Sequence, residues 1–275
     1  MADTKTVLIT GCSSGIGRAT AYAFLEDDWR VYATARDTAD IERLGEAGCD
    51  INTLDVTDPD DIERVVDRIV ERDGRVDCLV NNAGYGQHGP IEDVPDDLLQ
   101  RQFDVNLFGP HRLVRGVLPH MREREDGTIV NVSSVAGRLA SPGMGAYSAS
   151  KFAMEGYSDA LRNEVAPHGV DVSVVQPGPV QTEFRERVGE ELEQYDRTDA
   201  YADIYAFQED ASLFGADSPV AVSPTEVARV ILAAGVSPDP EPRYVVGGFA
   251  DLLVKLRFLP DRLRDRAFDV IRKFT

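Results

Sequence analysis

Tyr147 and Lys151 stand four residues apart in the segment Tyr147-Ser-Ala-Ser-Lys151. On an α-helix that interval stacks two side chains on one face within contact distance. A phenol beside an ammonium can work as an acid or a base, although a free tyrosine titrates near ~10. Drawing it to neutrality asks for roughly 4 kcal/mol of preferential stabilisation of the phenolate. A neighbouring cation, together with the positive end of a bound cofactor, is a source of that energy. The competing reading of the five letters alone is an accidental pair on an exposed helix.

Three further segments bear on that choice. The apolar run Thr6-Val-Leu-Ile-Thr10 stops at Gly11-Cys12-Ser13-Ser14-Gly15-Ile16-Gly17 and continues as Arg18-Ala-Thr-Ala-Tyr-Ala-Phe24, which reads as strand, glycine turn and helix. Glycines let a backbone approach a pyrophosphate closely, and the first turn of a helix offers unpaired N–H groups at the positive end of its dipole. A second strand, Val76-Asp-Cys-Leu-Val-Asn81, runs into Asn82, Ala83 and Gly84, and a third, Gly127-Thr-Ile-Val-Asn-Val132, ends in Ser133 and Ser134. Taken singly, Asn and Ser at strand ends are turn formers and caps. In an open α/β sheet, however, the carboxyl ends of the strands form the ligand crevice, so these glycines, amides and hydroxyls converge on one place.

In this order and spacing the four segments resemble the short-chain dehydrogenase/reductase family over about residues 4–182. The resemblance implies an oxidoreductase with a nicotinamide cofactor, in which Tyr147 is the general acid/base and Lys151 holds the nicotinamide ribose and lowers the tyrosine's pKa. Ser134 would orient the substrate oxygen; it is chosen over Ser133 because its interval to Tyr147 is that of the family. Asn106, in Phe103-Asp-Val-Asn-Leu-Phe-Gly109, matches the asparagine that supports a water-linked proton relay. Shorter matches at residues 10–17, 32–37 and 82–90 resemble the branch of 17β-hydroxysteroid and retinol dehydrogenases. The implied substrate is a small alcohol or carbonyl compound, and the implied assembly a homodimer or homotetramer that pairs the helix bearing Tyr147.

Cofactor choice turns on the end of the second strand, where an acid binds the adenosine ribose hydroxyls and an arginine meets a 2′-phosphate. Here Val31-Tyr-Ala-Thr-Ala35 ends in Arg36, which favours NADP(H); NAD(H) stays open because Asp37 follows. Asp55 and Val56, after the third strand, resemble the family's adenine contact, against a reading in which Asp55 only begins a turn. Pro177, Gly178, Val180 and Thr182 follow the sixth strand, and Thr182 resembles the residue that holds the nicotinamide carboxamide.

Strands are predicted at about 6–10, 30–35, 51–55, 76–81, 127–133, 170–176 and 243–247, with helical patterns between them. The clearest helix is Asp58-Pro-Asp-Asp-Ile62 to Val70, with a cap, an early proline and apolar residues at helical spacing. Alternating strands and helices require right-handed crossovers and a mostly parallel sheet. The expectation is a three-layer, doubly wound seven-stranded Rossmann fold with helices on both faces, as one domain over residues 1–250. Its least patterned stretch, 183–223, corresponds to the family's substrate lid. Phe184, Tyr195, Tyr201, Tyr205, Phe207 and Phe214 lie there and suit an apolar substrate, or pack on the domain's own core.

Composition narrows the alternatives. A net charge of −19 over 275 residues argues against a nucleic-acid partner, whose phosphates need a basic footprint. It also suggests adaptation to high salt. Three scattered cysteines form neither a disulfide set nor a metal spacing, the four histidines make no ligand pair, and the amino end has no secretory pattern; a reduced, cytoplasmic, metal-free protein is expected. Residues 251–275 depart from the rest with a local charge of +3, which leaves −22 on residues 1–250. Their pattern predicts two amphipathic helices broken by Pro260. Such a tail can lie on a membrane surface or a partner, and closure over its own acidic domain is the favoured reading. The functional alternative to an enzyme is a dinucleotide-sensing regulator that keeps the fold and lacks one of Asn106, Ser134, Tyr147 and Lys151.

Overall fold

The computed structural model describes residues 4–182, 191–192, 194–209 and 220–266. Seven strands, β1 (Thr6–Ile9), β2 (Arg30–Ala35), β3 (Asp50–Thr53), β4 (Cys78–Asn81), β5 (Gly127–Val132), β6 (Val170–Pro177) and β7 (Arg243–Val246), form one sheet in the order β3-β2-β1-β4-β5-β6-β7. Every pairing is parallel. Among the described residues the main helices are α1 (Gly15–Glu26), α2 (Glu42–Ala47), α3 (Pro59–Asp73), α4 (Asp96–Phe103), α5 (Gly109–Arg124), α6 (Gly145–Val165), α7 (Ala202–Glu209), α8 (Pro224–Val236) and α9 (Gly248–Leu256). The predicted strands are all present, and the Rossmann expectation holds.

Alternation along each strand divides the core into two layers. Val7 and Ile9 of β1 point to one face, where they join Phe24 of α1 and Val227 and Ile231 of α8. Leu8 points to the other, with Val65 and Ile69 of α3, Leu113 and Val117 of α5, and Leu161 of α6. Both sets are buried, each large aliphatic side chain contributing about 1.5–3 kcal/mol. α3 follows its predicted signals closely, with the Asp58 side chain accepting from the Asp60 N–H, Pro59 in the first turn and Gly74 in the left-handed conformation at its end.

Strand order reverses between β1 and β4, which opens the crevice at their carboxyl ends. Between α4 and α5 the chain passes through a π turn, Asp104–Phe108, the kind of insertion that recurs at functional sites because it re-aims a side chain. Asn106 sits on that turn and is buried.

The unpatterned stretch contains more order than its sequence suggests. α7 lies inside it, Leu192 and Tyr205 are buried, and Tyr195 and Tyr201 pack against them. Phe184 and Phe214 fall outside the described residues. In the carboxyl-terminal segment, residues 251–256 and 261–266 are helical on either side of Pro260, and its last nine residues lie outside the described part. Within its described part, Leu252, Phe258 and Leu263 are exposed.

Candidate active site

A cavity of about 1560 Å³ opens at the carboxyl ends of the strands. A single drug-sized ligand needs roughly 300–1,000 Å³, so there is room here for a dinucleotide and a second molecule. Gly11, Ser13, Ser14, Gly15, Ile16, Arg36, Asp55, Val56, Asn82, Ala83, Gly84, Ser134, Tyr147, Lys151, Pro177, Gly178, Val180 and Thr182 all line it. Gly17 and Asn106 do not; they stand behind the wall and shape it.

The glycine turn is fixed by contacts within the chain. The Asn82 side-chain amide donates to the carbonyls of Thr10 and Gly11 at 2.8 and 3.1 Å, and the Thr10 hydroxyl oxygen accepts from the Asn82 and Ala83 N–H groups. A Cβ at Gly11, whose φ is +71°, would come 2.9 Å from the Ala83 Cα, and one at Gly17 would come 2.5 Å from the Asn82 amide nitrogen. These two glycines are therefore demanded by the protein's own packing, before any ligand. The Ser14 side chain makes no capping hydrogen bond at the start of α1, and Ser13, Ser14, Gly15 and Ile16 line the cavity there.

The second-strand residues separate cleanly. Arg36 is exposed on the cavity wall, while the Asp37 carboxylate accepts from the Ala39 N–H at 2.9 Å and caps the short helical turn that follows. Asp55 combines both of its sequence readings, since it lines the cavity and also accepts from the Thr57 N–H and hydroxyl at 2.8 and 2.7 Å. Cys12 is buried, and burial pushes its thiol up to about 12, which suits packing and not reactivity.

Tyr147 and Lys151 lie on one face of α6, with the Lys151 Nζ 5.9 Å from the centre of the tyrosine ring. Both are buried. Burial pushes the Tyr147 phenol up to about 12, against which a hydrogen bond with the Ser134 side chain works in the opposite direction. The Lys151 ammonium donates to the Val132 carbonyl at 2.9 Å; burial brings it down to about 8, opposed by the Glu155 carboxylate. The protein alone thus makes the phenol a weaker acid than free tyrosine, the opposite of the shift expected from the lysine. Ser134 also accepts from the Ala136 N–H at 3.1 Å, which fixes its orientation.

Asn106 bonds the Tyr85 backbone in both directions, accepting from its N–H at 3.2 Å and donating to its carbonyl at 3.0 Å. Its amide also donates to the Ser150 hydroxyl at 3.1 Å, which in turn donates to the Tyr147 carbonyl at 2.7 Å. The π turn is thereby tied to the first turn of α6. Among the described residues no cluster of His, Cys, Asp or Glu could hold a metal ion.

Other lining residues escaped the sequence reading. His88 places its ring 6.0 Å from that of Tyr147, and its Nδ1 lies 2.9 Å from the Gln208 Oε1 of α7. Gln208, Leu139, Met144 and Leu253 line this side of the cavity too, together with Phe207, one of the lid aromatics singled out in the sequence. The segment bearing α7 is latched to the loop after β4. The Tyr195 hydroxyl donates to the His88 carbonyl at 2.5 Å, and the Asp93 carboxylate accepts from the Thr198 N–H, the Thr198 hydroxyl and the Tyr205 hydroxyl at 3.1, 2.5 and 2.6 Å. His88 was within reach of sequence because it follows Asn82-Ala-Gly84 on the same loop; Gln208 and Asp93 were not, since only folding brings them together.

A family model described as short chain dehydrogenase matches residues 5–193. The chain belongs to the short-chain dehydrogenase family. It is an NAD(P)-dependent oxidoreductase of this family. It is 35% identical to the uncharacterized oxidoreductase YbbO of Escherichia coli over 95% of this chain and 93% of that protein. It is 39% identical to human 17-beta-hydroxysteroid dehydrogenase type 1 over 86% and 76% of the two chains. The fold matches the crystal structure of a short-chain dehydrogenase from Streptomyces avermitilis with a TM-score of 0.83 and 33% identity, covering 100% and 99% of the chains. Two further solved members are complexes, one from Burkholderia phymatum with NAD (TM-score 0.80, 26% identity, 92% of each chain) and a metagenomic enzyme with NADP (0.68, 26%, 88% and 96%).

Proposed function

We propose that this enzyme interconverts an apolar primary or secondary alcohol and its aldehyde or ketone, with NADP(H) as the hydride carrier and Tyr147 as the general acid/base. The observation that carries the reading is that Ser134, Tyr147 and Lys151 share one wall of the large cavity, with the Lys151 Nζ 5.9 Å from the centre of the tyrosine ring.

The cofactor would lie along Gly11, Ser13, Ser14, Gly15 and Ile16, with Arg36 and Asp55 toward its adenosine end and Asn82, Ala83, Gly84, Pro177, Gly178, Val180 and Thr182 along the rest. When bound, it supplies or accepts the hydride. Arg36 presents a guanidinium fork to a 2′-phosphate, and the engagement of Asp37 in its cap supports this preference. In reduction, Ser134 and Tyr147 hydrogen-bond the carbonyl oxygen and the Tyr147 hydroxyl gives up its proton to it; in oxidation Tyr147 takes the proton back. A phenol that burial holds near 12 donates readily only when a cation favours its anion, so Lys151 must remain charged. Asn106 holds the Tyr85 loop and, through Ser150, the backbone of Tyr147 in register. Leu139, Met144, Phe207 and Leu253 bring apolar side chains to the cavity near Tyr147, which supports an apolar substrate. Assembly as a homodimer or homotetramer belongs to the same reading.

A panel of apolar ketones and alcohols, followed by NADPH and NADH absorbance, tests it. Turnover is expected for the wild type and not for Tyr147→Phe, whose NADPH affinity should stay nearly intact. Substantial activity in that variant would assign the proton transfer elsewhere.

A further inference from the structure

The large cavity has a small neighbour of about 250 Å³, lined by Arg138, Leu139, Ala140, Phe152, Arg257 and Arg264. Three of these six residues carry guanidinium groups and none is acidic, in a chain whose net charge is −19. The nearby acids are already shared. Glu155 lies 3.5 Å from Arg138 but is also held by Arg243 at 2.9 Å and by Gln176 at 2.8 Å, and Asp261 reaches Arg264 from an exposed position at 2.8 Å. Arg138 and Arg257 stand close enough to repel, and that repulsion adds to burial in lowering the Arg138 pKa. Like charges gathered this way are relieved by an anion, and planar guanidinium forks match the oxygens of a phosphate.

The covering segment has a second property. Leu252, Phe258 and Leu263 are 54, 79 and 50% exposed, and they alternate along the chain with Lys255, Arg257, Arg262, Arg264 and Arg266. A protein interface groups its apolar residues in a core and its charges at a rim. Interleaved arginines and large apolar side chains on short helices suit the boundary between lipid headgroups and acyl chains instead. Among the described residues no helix is long and apolar enough to cross a membrane, so contact would be at the surface.

We propose that this pocket and the segment from α9 to Arg266 form a docking site for anionic phospholipid, with Arg138, Arg257 and Arg264 taking a headgroup phosphate while Leu252, Phe258 and Leu263 enter the acyl boundary. Leu139 lines both cavities and Leu253 of α9 lines the larger one. A docked molecule would therefore hold its substrate entrance at the membrane; that benefit, unlike the docking itself, rests on the apolar substrate proposed above.

Co-sedimentation of the full chain with phosphatidylglycerol vesicles and with phosphatidylcholine vesicles tests the site. The wild type should sediment with the former and not the latter. Arg257→Ala/Arg264→Ala should lower that partitioning by roughly thirty-fold, at about 1 kcal/mol for each arginine near an anionic surface, and the corresponding lysine pair, which keeps the charge but not the fork, should restore only part of it. Phe258→Ser should also weaken it, and NADPH turnover on a soluble substrate should be unchanged in all these variants. Equal sedimentation with both lipids, none with either, or an alanine pair that binds as well as the wild type would overturn the proposal. So would an alanine pair whose mass by light scattering falls to that of a smaller oligomer, because a second copy of the chain would then cover the surface.

Discussion

Glu155 lies one helical turn beyond Lys151 on the same buried face of α6, and its carboxylate opposes the loss of charge that burial imposes on the lysine. That carboxylate is held in turn by Gln176 of β6 and Arg243 of β7, so two strands fix the group that sets the charge of Lys151. Removing it in Glu155→Gln takes away the negative charge that raises the lysine's pKa. Lys151 would then lose its proton at lower pH, and the alkaline fall of NADPH affinity should move to lower pH by a measurable amount. Fluorescence titration of NADPH across pH checks this; an unmoved midpoint would reduce Glu155 to a purely structural role. A stability loss of about 3 kcal/mol should accompany it, because Arg243 and Arg138 lose a buried partner.

Lys151 itself carries a stability cost. Its pKa in the folded chain is about 8, below its ordinary 10.5. Between those two values the unfolded chain holds a proton that the folded chain has released, so stability rises with pH across that window. Below it, the fold bears the cost of a buried charge, on the order of 3 kcal/mol. Lys151→Met should therefore abolish turnover while leaving the cofactor-free protein at least as thermally stable as the wild type near neutral pH. Thermal melts of both proteins from pH 7 to pH 10 should converge as the wild type gains stability.

Arg36 bears on cofactor choice alone. A hydrogen bond to a charged group contributes about 1.5–3 kcal/mol, so Arg36→Ala should lower kcat/KM with NADPH by roughly ten- to a hundred-fold and leave the NADH value little changed. Equal losses with both cofactors would show that the guanidinium does not meet a 2′-phosphate.

Asp93 gathers three hydrogen bonds from the segment that carries Gln208 and Phe207 to the cavity, and they hold its carboxyl below the usual carboxylate range. Asp93→Asn should loosen that latch, raise KM several-fold with a smaller change in kcat, and speed cleavage within residues 191–209 in limited proteolysis. Unchanged cleavage would mean that Leu192 and Tyr205 hold the segment without it.

The acidic surplus leads to a fifth expectation. If the surface is built for high salt, melting temperature and activity should both fall on transfer from molar salt to dilute buffer. Full retention in dilute buffer would leave solubility as its only role.

The parts of the site that belong to the sheet were legible in sequence, because each is a local event: a strand, its end, and the glycine, amide or hydroxyl placed there. The glycine turn at Gly11 and the amide at Asn82 stood out locally, whereas the choice of Ser134 over Ser133 and the reading of Thr182 rested on family resemblance. Asn106 was found by resemblance, but its π turn was not, since a single extra residue in a helix leaves no periodic mark. The substrate side was opaque for a different reason. His88 with Gln208 and Asp93 with Tyr205 are partners more than a hundred residues apart. Their side chains follow no shared pattern, and hydroxyl-to-carboxylate bonds have no spacing rule by which to be recognised.

The two halves of the cavity are consequently held by different physics. The dinucleotide half is backbone brought so close to backbone that added atoms have nowhere to go, as at Gly11 and Gly17. The other half is fastened by side-chain hydroxyls reaching across to an acidic loop, a fastening that single substitutions can rewrite without disturbing the first. Descendants of such a scaffold could exchange the molecules they accept while the transfer of hydride and proton stays the same.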